Sequence, residues 1–320
     1  MSDMRDAAKK GGVWVRFRKQ RLLQCFALAG ILYLLVFSYL PMTGIVMAFK
    51  DYNITMGIGG IFTSKWAGFK HFLAFFNDIN FGMLLRNTIA LSILKLIFAF
   101  PLPILFAIQL NEVRSGGFKR AVQTVSYLPH FISWVIVSGL AISFLSNDRG
   151  AVNNLLEAIG LTGEPVPFLT SAGYFWPVAV FLDVWKDMGW WTIIFLAAIT
   201  GIDPSLYEAA DIDGASRLRK IRSITLPGIT GTVTVVLILA LGNLFGGGLS
   251  GSNFEQSYLL GNATNHANSE IIQTYILKIG LSKGRYAYAT AVGLIQSAIS
   301  LALIFGSNAA SRKINKSSLF

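Results

Sequence analysis

"LYEAADIDGASRLRKIRSITLPG", residues 206–228, is polar, mixed in charge and patterned like a helix, yet it lies between two long apolar runs. The runs on either side decide the class. Of 320 residues, 53% are hydrophobic and only 13% are charged, against roughly 25% charged in a soluble domain. Several of the apolar runs are longer than 18 residues, and a helix needs roughly 20 apolar residues to cross a bilayer. In lipid, backbone groups must find partners within their own segment, which favours helices. Alternating segments of about 10 residues would signal a barrel, and the sequence has none. The expected fold is an all-α polytopic membrane protein.

Working outward from the loop, six spans are expected: 22–46, 84–110, 122–145, 174–200, 228–245 and 287–305. Pro41, Pro101 and Pro103 fall where they would kink their helices. The division that follows is a basic N-terminus (1–21), a membrane domain (22–307) holding the polar loop (203–227), and a basic tail (308–320). The N-terminus has the charge pattern of a signal peptide. Its apolar run continues from Leu22 to Phe49, however, too long for a signal core. It is read as an uncleaved first span.

The net charge of +11 would suggest nucleic acid in a soluble protein. Here the cations flank the spans. With both termini inside, 17 Lys and Arg fall on the cytoplasmic side and 7 outside; Arg86, Lys95 and Lys186 lie within spans. That bias obeys the positive-inside rule and puts the 206–228 loop on the cytoplasmic face. No nucleic-acid partner is expected, and lipid is the bulk surroundings. Cys25, in an apolar run, is read as a small buried hydrophobe with neither disulfide nor metal role. Outside, "NNLLEAIGLTGEPVPF" (153–168) suggests a short amphipathic helix ended by turn residues, "GGGLSGSNFEQS" (246–257) a flexible stretch and "SEIIQTYILKIGL" (269–281) an interfacial helix.

Within the polar loop, Asp203 and Pro204 suit a helix start. Ala209, Ala210, Gly214 and Ala215 form a small-residue stripe, and Gly214 can turn the chain. Arg217, Arg219, Lys220 and Arg222 form a basic second arm, and Pro227 fits the first turn of the next span. The product is a bent helical knob led by Glu208 and shaped for another protein's groove.

Glu208, Ala209, Ala210, Gly214, Ile224, Leu226 and Pro227 fall at the spacing EAA---G---------I-LP. With them the chain resembles the permease subunits of bacterial binding-protein-dependent ABC importers. "YLPMTGIVMAFKDYN" (39–53), "WAGFKHF" (66–72), "RNTIALS" (86–92) and "YLPHFISWVIVSG" (127–139) resemble the carbohydrate branch, especially lipoprotein-associated oligosaccharide permeases. The resemblance implies a type I importer permease fold in the bacterial cytoplasmic membrane. It also implies a second homologous permease, two copies of an ATPase that bind ATP and Mg, and an extracytoplasmic solute-binding protein that delivers the sugar. The seven motif residues would then couple to the ATPase, with Glu208 as a charged latch. The chain lacks the G-x-x-x-x-G-K-[ST] phosphate loop; "GLSKGRYA" (280–287) is not one. No catalytic residue, cofactor or metal is therefore assigned to this chain.

For the sugar path, span four offers "YFWPVAVFLDVWKDMGWW" (174–191). Ionisable groups inside a span are costly and mark functional or paired positions. Asp183, Lys186 and Asp187 share one helix turn, and Lys186 can reach Asp183 at i+3. Trp185 and Trp190 could stack on sugar faces or belong to an interfacial belt. Lys95 either lines the path or meets an acidic partner. For a uronate, Lys95 and Lys186 would be the first cations to meet it. His71, His130 and His266 show no ligand spacing and are read as ordinary polar positions. Two alternatives stay open: the same transporter class carrying glycerol phosphate or a polyol, and a secondary transporter driven by an ion gradient.

Overall fold

The computed structural model describes residues 20–148 and 150–315. The cations Arg5 to Lys19, Arg149 and Lys316 lie outside the described residues. Apart from one bridge between Lys50 and Trp66, regular structure among the described residues is helical. In chain order the main elements are α1 (Arg21–Phe49), α2 (Phe81–Glu112), α3 (Gly116–Phe131), α4 (Trp134–Leu145), α5 (Ala172–Thr200), α6 (Pro204–Ile212), α7 (Arg217–Gly242), α8 (Asn253–Leu260) and α9 (Tyr286–Asn315). By length and composition α1, α2, α7 and α9 can each cross a membrane, and the bent pairs α3–α4 and α5–α6 bring the total to six. Helices thus occupy all six expected segments, and four of them are long and apolar enough to cross on their own.

Three apolar clusters hold the bundle. At the knob end, Phe100 and Ala107 of α2 meet Phe195 and Ile199 of α5 and Ile229 and Val236 of α7. At the other end, Leu91 of α2 meets Val137 and Ala141 of α4, Ala179 and Leu182 of α5, and Leu260 of α8. Beside it, Phe75, Leu84, Ile272, Tyr275, Ile279, Tyr288 and Val292 pack together. α5 therefore runs through two cores, which suits its unbroken length. α1 stands apart: before Ala48 none of its residues is buried. Cys25, expected to be buried, is accordingly exposed.

The structure corrects two further expectations. The segment 122–145 is not one straight span but bends by 100° between α3 and α4. Pro129, which has no N–H to donate, tightens the end of α3 into a 3-10 turn. Ile132 and Ser133 are then extended, and the Ser133 hydroxyl accepts the Ile136 N–H at 3.4 Å, starting a fresh helix. The glycine-rich stretch is not a flexible outer loop. Phe245 to Gly248 are buried, and Ser250 and Ser252 bond to α5. Pro227 falls in the first turn of the regular α-helix Leu226–Gly242, as expected, but the helical run begins before it. α7 starts at Arg217, and its turn Ile221–Thr225 widens to a π-turn just before the proline. A proline ring clashes with the carbonyl four residues back, here that of Ser223, and the wide turn absorbs the misfit.

α3 lies close against α5 at Gly189, where an added Cβ would strike the backbone of Ser126. Gly189→Val is therefore expected to destabilise the purified permease by about 1–3 kcal/mol. Gly231→Val, where a Cβ meets nothing within 4 Å, should stay near wild type. Thermal unfolding in one detergent, followed by tryptophan fluorescence, compares them; equal midpoints would refute the contact.

Candidate functional site

The polar loop of 206–228 forms a compact knob. The chain bends by 67° from α5 into α6. The Asp203 carboxylate accepts the Ser205 N–H at 2.9 Å, and Pro204 occupies the first turn. That backbone hydrogen bond holds Asp203 below the usual carboxylate range, so the cap is charged at neutral pH. Gly214 sits at φ +68°, a conformation strained for any side chain. It reverses the chain so that Ser216 accepts the Arg219 N–H at 3.4 Å and starts the second arm. Two links tie the arms: Lys220 donates to Asp211 at 2.7 Å, and the Tyr207 and Thr225 hydroxyls meet at 2.9 Å. Glu208, Ala209 and Gly214 are exposed, and Ala210 and Ile224 are half-buried. Leu206, Ile212 and Leu218 are 51%, 88% and 71% exposed. Apolar side chains this bare add nothing to the chain's own core; on a polar knob they mark a contact surface.

Deeper in the bundle, four charges lie buried where α2, α3, α5 and the segment after α7 meet: Lys95, Asp183, Lys186 and Asp187. Lys95 Nζ is 3.3 Å from Asp183 Oδ1 and donates to Ser252 Oγ at 2.6 Å. Asp183 also accepts from Ser250 at 2.6 Å and from Ser252. Lys186 donates to the His130 carbonyl at 2.7 Å and lies 3.4 Å from Asp187. Asp187 Oδ1 meets His130 Nδ1 at 2.7 Å. The His130 ring stacks on Trp190, with centroids 4.4 Å apart and planes 3° from parallel. Trp185 and Trp190 remain part-exposed. Two cations face two anions, so the group is neutral, and each charge has a partner.

At the far end of the bundle, polar contacts fasten the loops. Arg86 donates to the Ala267 carbonyl and to Asn268 Oδ1, each at 2.7 Å. Asp78 accepts from Tyr275 at 2.5 Å and from Tyr288 at 2.9 Å. Burial pushes the Asp78 carboxyl up. The bonds from Tyr275, Asn80 and Tyr288 outweigh that and hold it below its ordinary value.

Residues 99–316 match the family described as "Binding-protein-dependent transport system inner membrane component". The chain belongs to that family. Protein LplB of Bacillus subtilis is 43% identical over 98% of this chain and 96% of its own length. The polygalacturonan/rhamnogalacturonan transport system permease protein YteP of the same organism is also 43% identical, over 98% of this chain and 94% of its own. A chain from the crystal structure of a bacterial alginate ABC transporter, in complex with alginate pentasaccharide-bound periplasmic protein, is 40% identical. It covers 97% of this chain and 100% of that chain, with a TM-score of 0.85. The type I importer permease fold expected from the sequence is therefore the observed one.

As an importer permease of the inner membrane, the chain keeps its motif residues together on the knob, while its span-four candidates form a separate site. Lys95 meets an acidic partner, Asp183. The expected Lys186–Asp183 pair is not made, because Lys95 and two serines already occupy Asp183. His130, read as an ordinary polar position, is a full member of the cluster. An ionisable side chain inside a span was the signal that should have marked it. Ser250 and Ser252 carried no signal beyond their glycine-rich setting.

Removing Lys95 strands a buried carboxylate. Lys95→Met is expected to cost about 3–5 kcal/mol, and adding Asp183→Asn should recover at least about half of it. Thermal midpoints of the purified single and double variants decide this. A Lys95→Met protein that melts like wild type would show that the pair does not hold the bundle.

Proposed function

We propose that this permease forms half of an ATP-driven import path for acidic oligosaccharides, with the knob at 203–227 as its handle for the ATPase. The observation behind the substrate is the pair of near-full-length likenesses, 43% to a polygalacturonan/rhamnogalacturonan permease and 40% to an alginate importer chain. Both are named for acidic polysaccharides.

In this reading the knob and both termini face the cytoplasm. A second permease completes the path, a solute-binding protein delivers the sugar, and two ATPase copies hold ATP and Mg. The permease itself hydrolyses nothing. Glu208 latches to a basic residue of the ATPase, and Ala209, Ala210 and Gly214 present the close-contact face. Ile224, Leu226 and Pro227 join the knob to the membrane part of α7. Nucleotide binding moves the permease only if the ATPase grips one of its conformations more tightly than the other. A cross-linked knob with a bare apolar tip suits that grip.

Asp183, Trp185, Lys186, Asp187, Trp190 and Lys95 border the path. Their charges neutralise one another, and Trp185 and Trp190 offer flat faces. That arrangement suits conduction: a free cation deep in the path would hold an anionic sugar too well to release it.

Reconstitution with the second permease, ATPase and binding protein tests this, using a galacturonate trisaccharide and a neutral arabinotriose. ATP-dependent uptake of the acidic sugar is expected; uptake of the neutral sugar alone would overturn the substrate assignment. Glu208→Lys should lower uptake per ATP hydrolysed about tenfold while the protein still inserts. Wild-type coupling in that variant would refute the latch.

A further inference from the structure

Apart from the knob and the buried charge cluster, the bundle carries a polar cleft with an unusual wall. It lies between α8 and the segment 261–278, and its volume is about 280 Å³. α7 separates it from the knob: its 26 residues rise about 39 Å. The cleft therefore opens at the end of the bundle away from the ATPase handle.

Two buried oxygens in its wall have no hydrogen-bond partner, Glu270 Oε1 and Ser257 Oγ, and each residue is only 5% exposed. Native structures rarely leave buried polar atoms unsatisfied. The other Glu270 oxygen, Oε2, is occupied: Lys278 donates to it, and His266 Nε2 lies 3.0 Å away. The carboxylate is thus held in place in the cleft wall with its second oxygen unpaired. A further cation is a poor guest, because Lys278 already neutralises Glu270. Among the described residues, moreover, no group of three or more His, Cys, Asp or Glu is placed to hold a metal. What the two oxygens lack is neutral donors, and hydroxyl groups are such donors.

The outer wall is aromatic. Tyr258 is 56% exposed and lies on Phe254, with centroids 5.6 Å apart and planes 13° from parallel. A pyranose ring has an apolar C–H face and a rim of hydroxyls. Its face matches the Tyr258 ring, and its rim matches Ser257 and Glu270. Lys278 and His266, both half-exposed at the rim, can donate to ring or carboxylate oxygens. The volume is just below the roughly 300–1,000 Å³ of sites that enclose a whole drug-sized ligand, which suits a single sugar unit.

We propose that this cleft binds one pyranose unit of the transported sugar at the entry side of the permease, an inference that rests on the sugar-import function. It is separate from the Asp183 cluster, with which it shares no residue. Tyr258 stacks on the sugar face, Ser257 and Glu270 take its hydroxyls, and Lys278 fixes Glu270.

The complete transporter in nanodiscs, without its binding protein, provides the test. The probe is the galacturonate trisaccharide, or a neutral galactotriose, also made of pyranoses, if the wild type imports only neutral sugar, and saturation-transfer NMR gives its Kd. The choice of sugar judges the acidic-substrate reading; the variants judge the cleft. Tyr258→Ala should weaken binding about tenfold and Ser257→Ala about threefold to tenfold. Tyr258 is exposed, so its variant should melt like wild type and keep the test sound even if Ser257→Ala fails to fold. A Kd within twofold of wild type in both variants would overturn the proposal. So would the absence of saturable binding by the wild type. Loss of uptake with the Kd unchanged would also overturn it, because it would assign the cleft to contact with the binding protein instead.

Discussion

A charge buried without a partner is what this bundle cannot tolerate, and the Lys95–Asp183 pair shows how the chain meets that constraint. Lys95 comes from α2, Asp183 from α5, and Ser250 and Ser252 from the segment after α7. Each of these segments has a group the others need. Partners in a low-dielectric interior are costly to separate, so the pair fixes the register of α2 against α5 and draws the glycine-rich segment inward. The second pair, Lys186 and Asp187, does the same for the bend between α3 and α4 through His130.

This division explains where sequence reading succeeded. Spans follow from composition, since any run of about 20 apolar residues is a span wherever it packs. The knob was equally legible because its determinants are local. Asp203 caps its own helix, Gly214 turns its own chain, and Lys220 reaches back only nine residues to Asp211. Two of the misreadings have the opposite property. Ser250 finds Asp183 67 residues away, and Lys186 finds the His130 carbonyl 56 residues away. No local pattern records such a meeting. Composition then misleads: glycines and serines read as slack, although here they are the tightly packed part.

Function divides along the same line. The buried charges cancel, so they set shape and leave little net field in the interior. Among the described residues, two of the unsatisfied surfaces are the apolar tip of the knob at one end and the orphan oxygens of the cleft at the other. An importer subunit needs contacts of both kinds, one with a motor and one with cargo, on opposite sides of a membrane.

The unbroken run from Arg217 to Gly242 has a mechanical consequence. Only the π-turn at Ile221–Thr225 separates the second arm of the knob from the rod that follows, and the links at Tyr207–Thr225 and Lys220–Asp211 brace that turn. A tug on the root cannot be dissipated in a slack joint. It reappears as tilt or twist at the distal tip, immediately before the serines that clasp Asp183. The stiffness of one strut thereby links the knob to the buried Lys95–Asp183 pair.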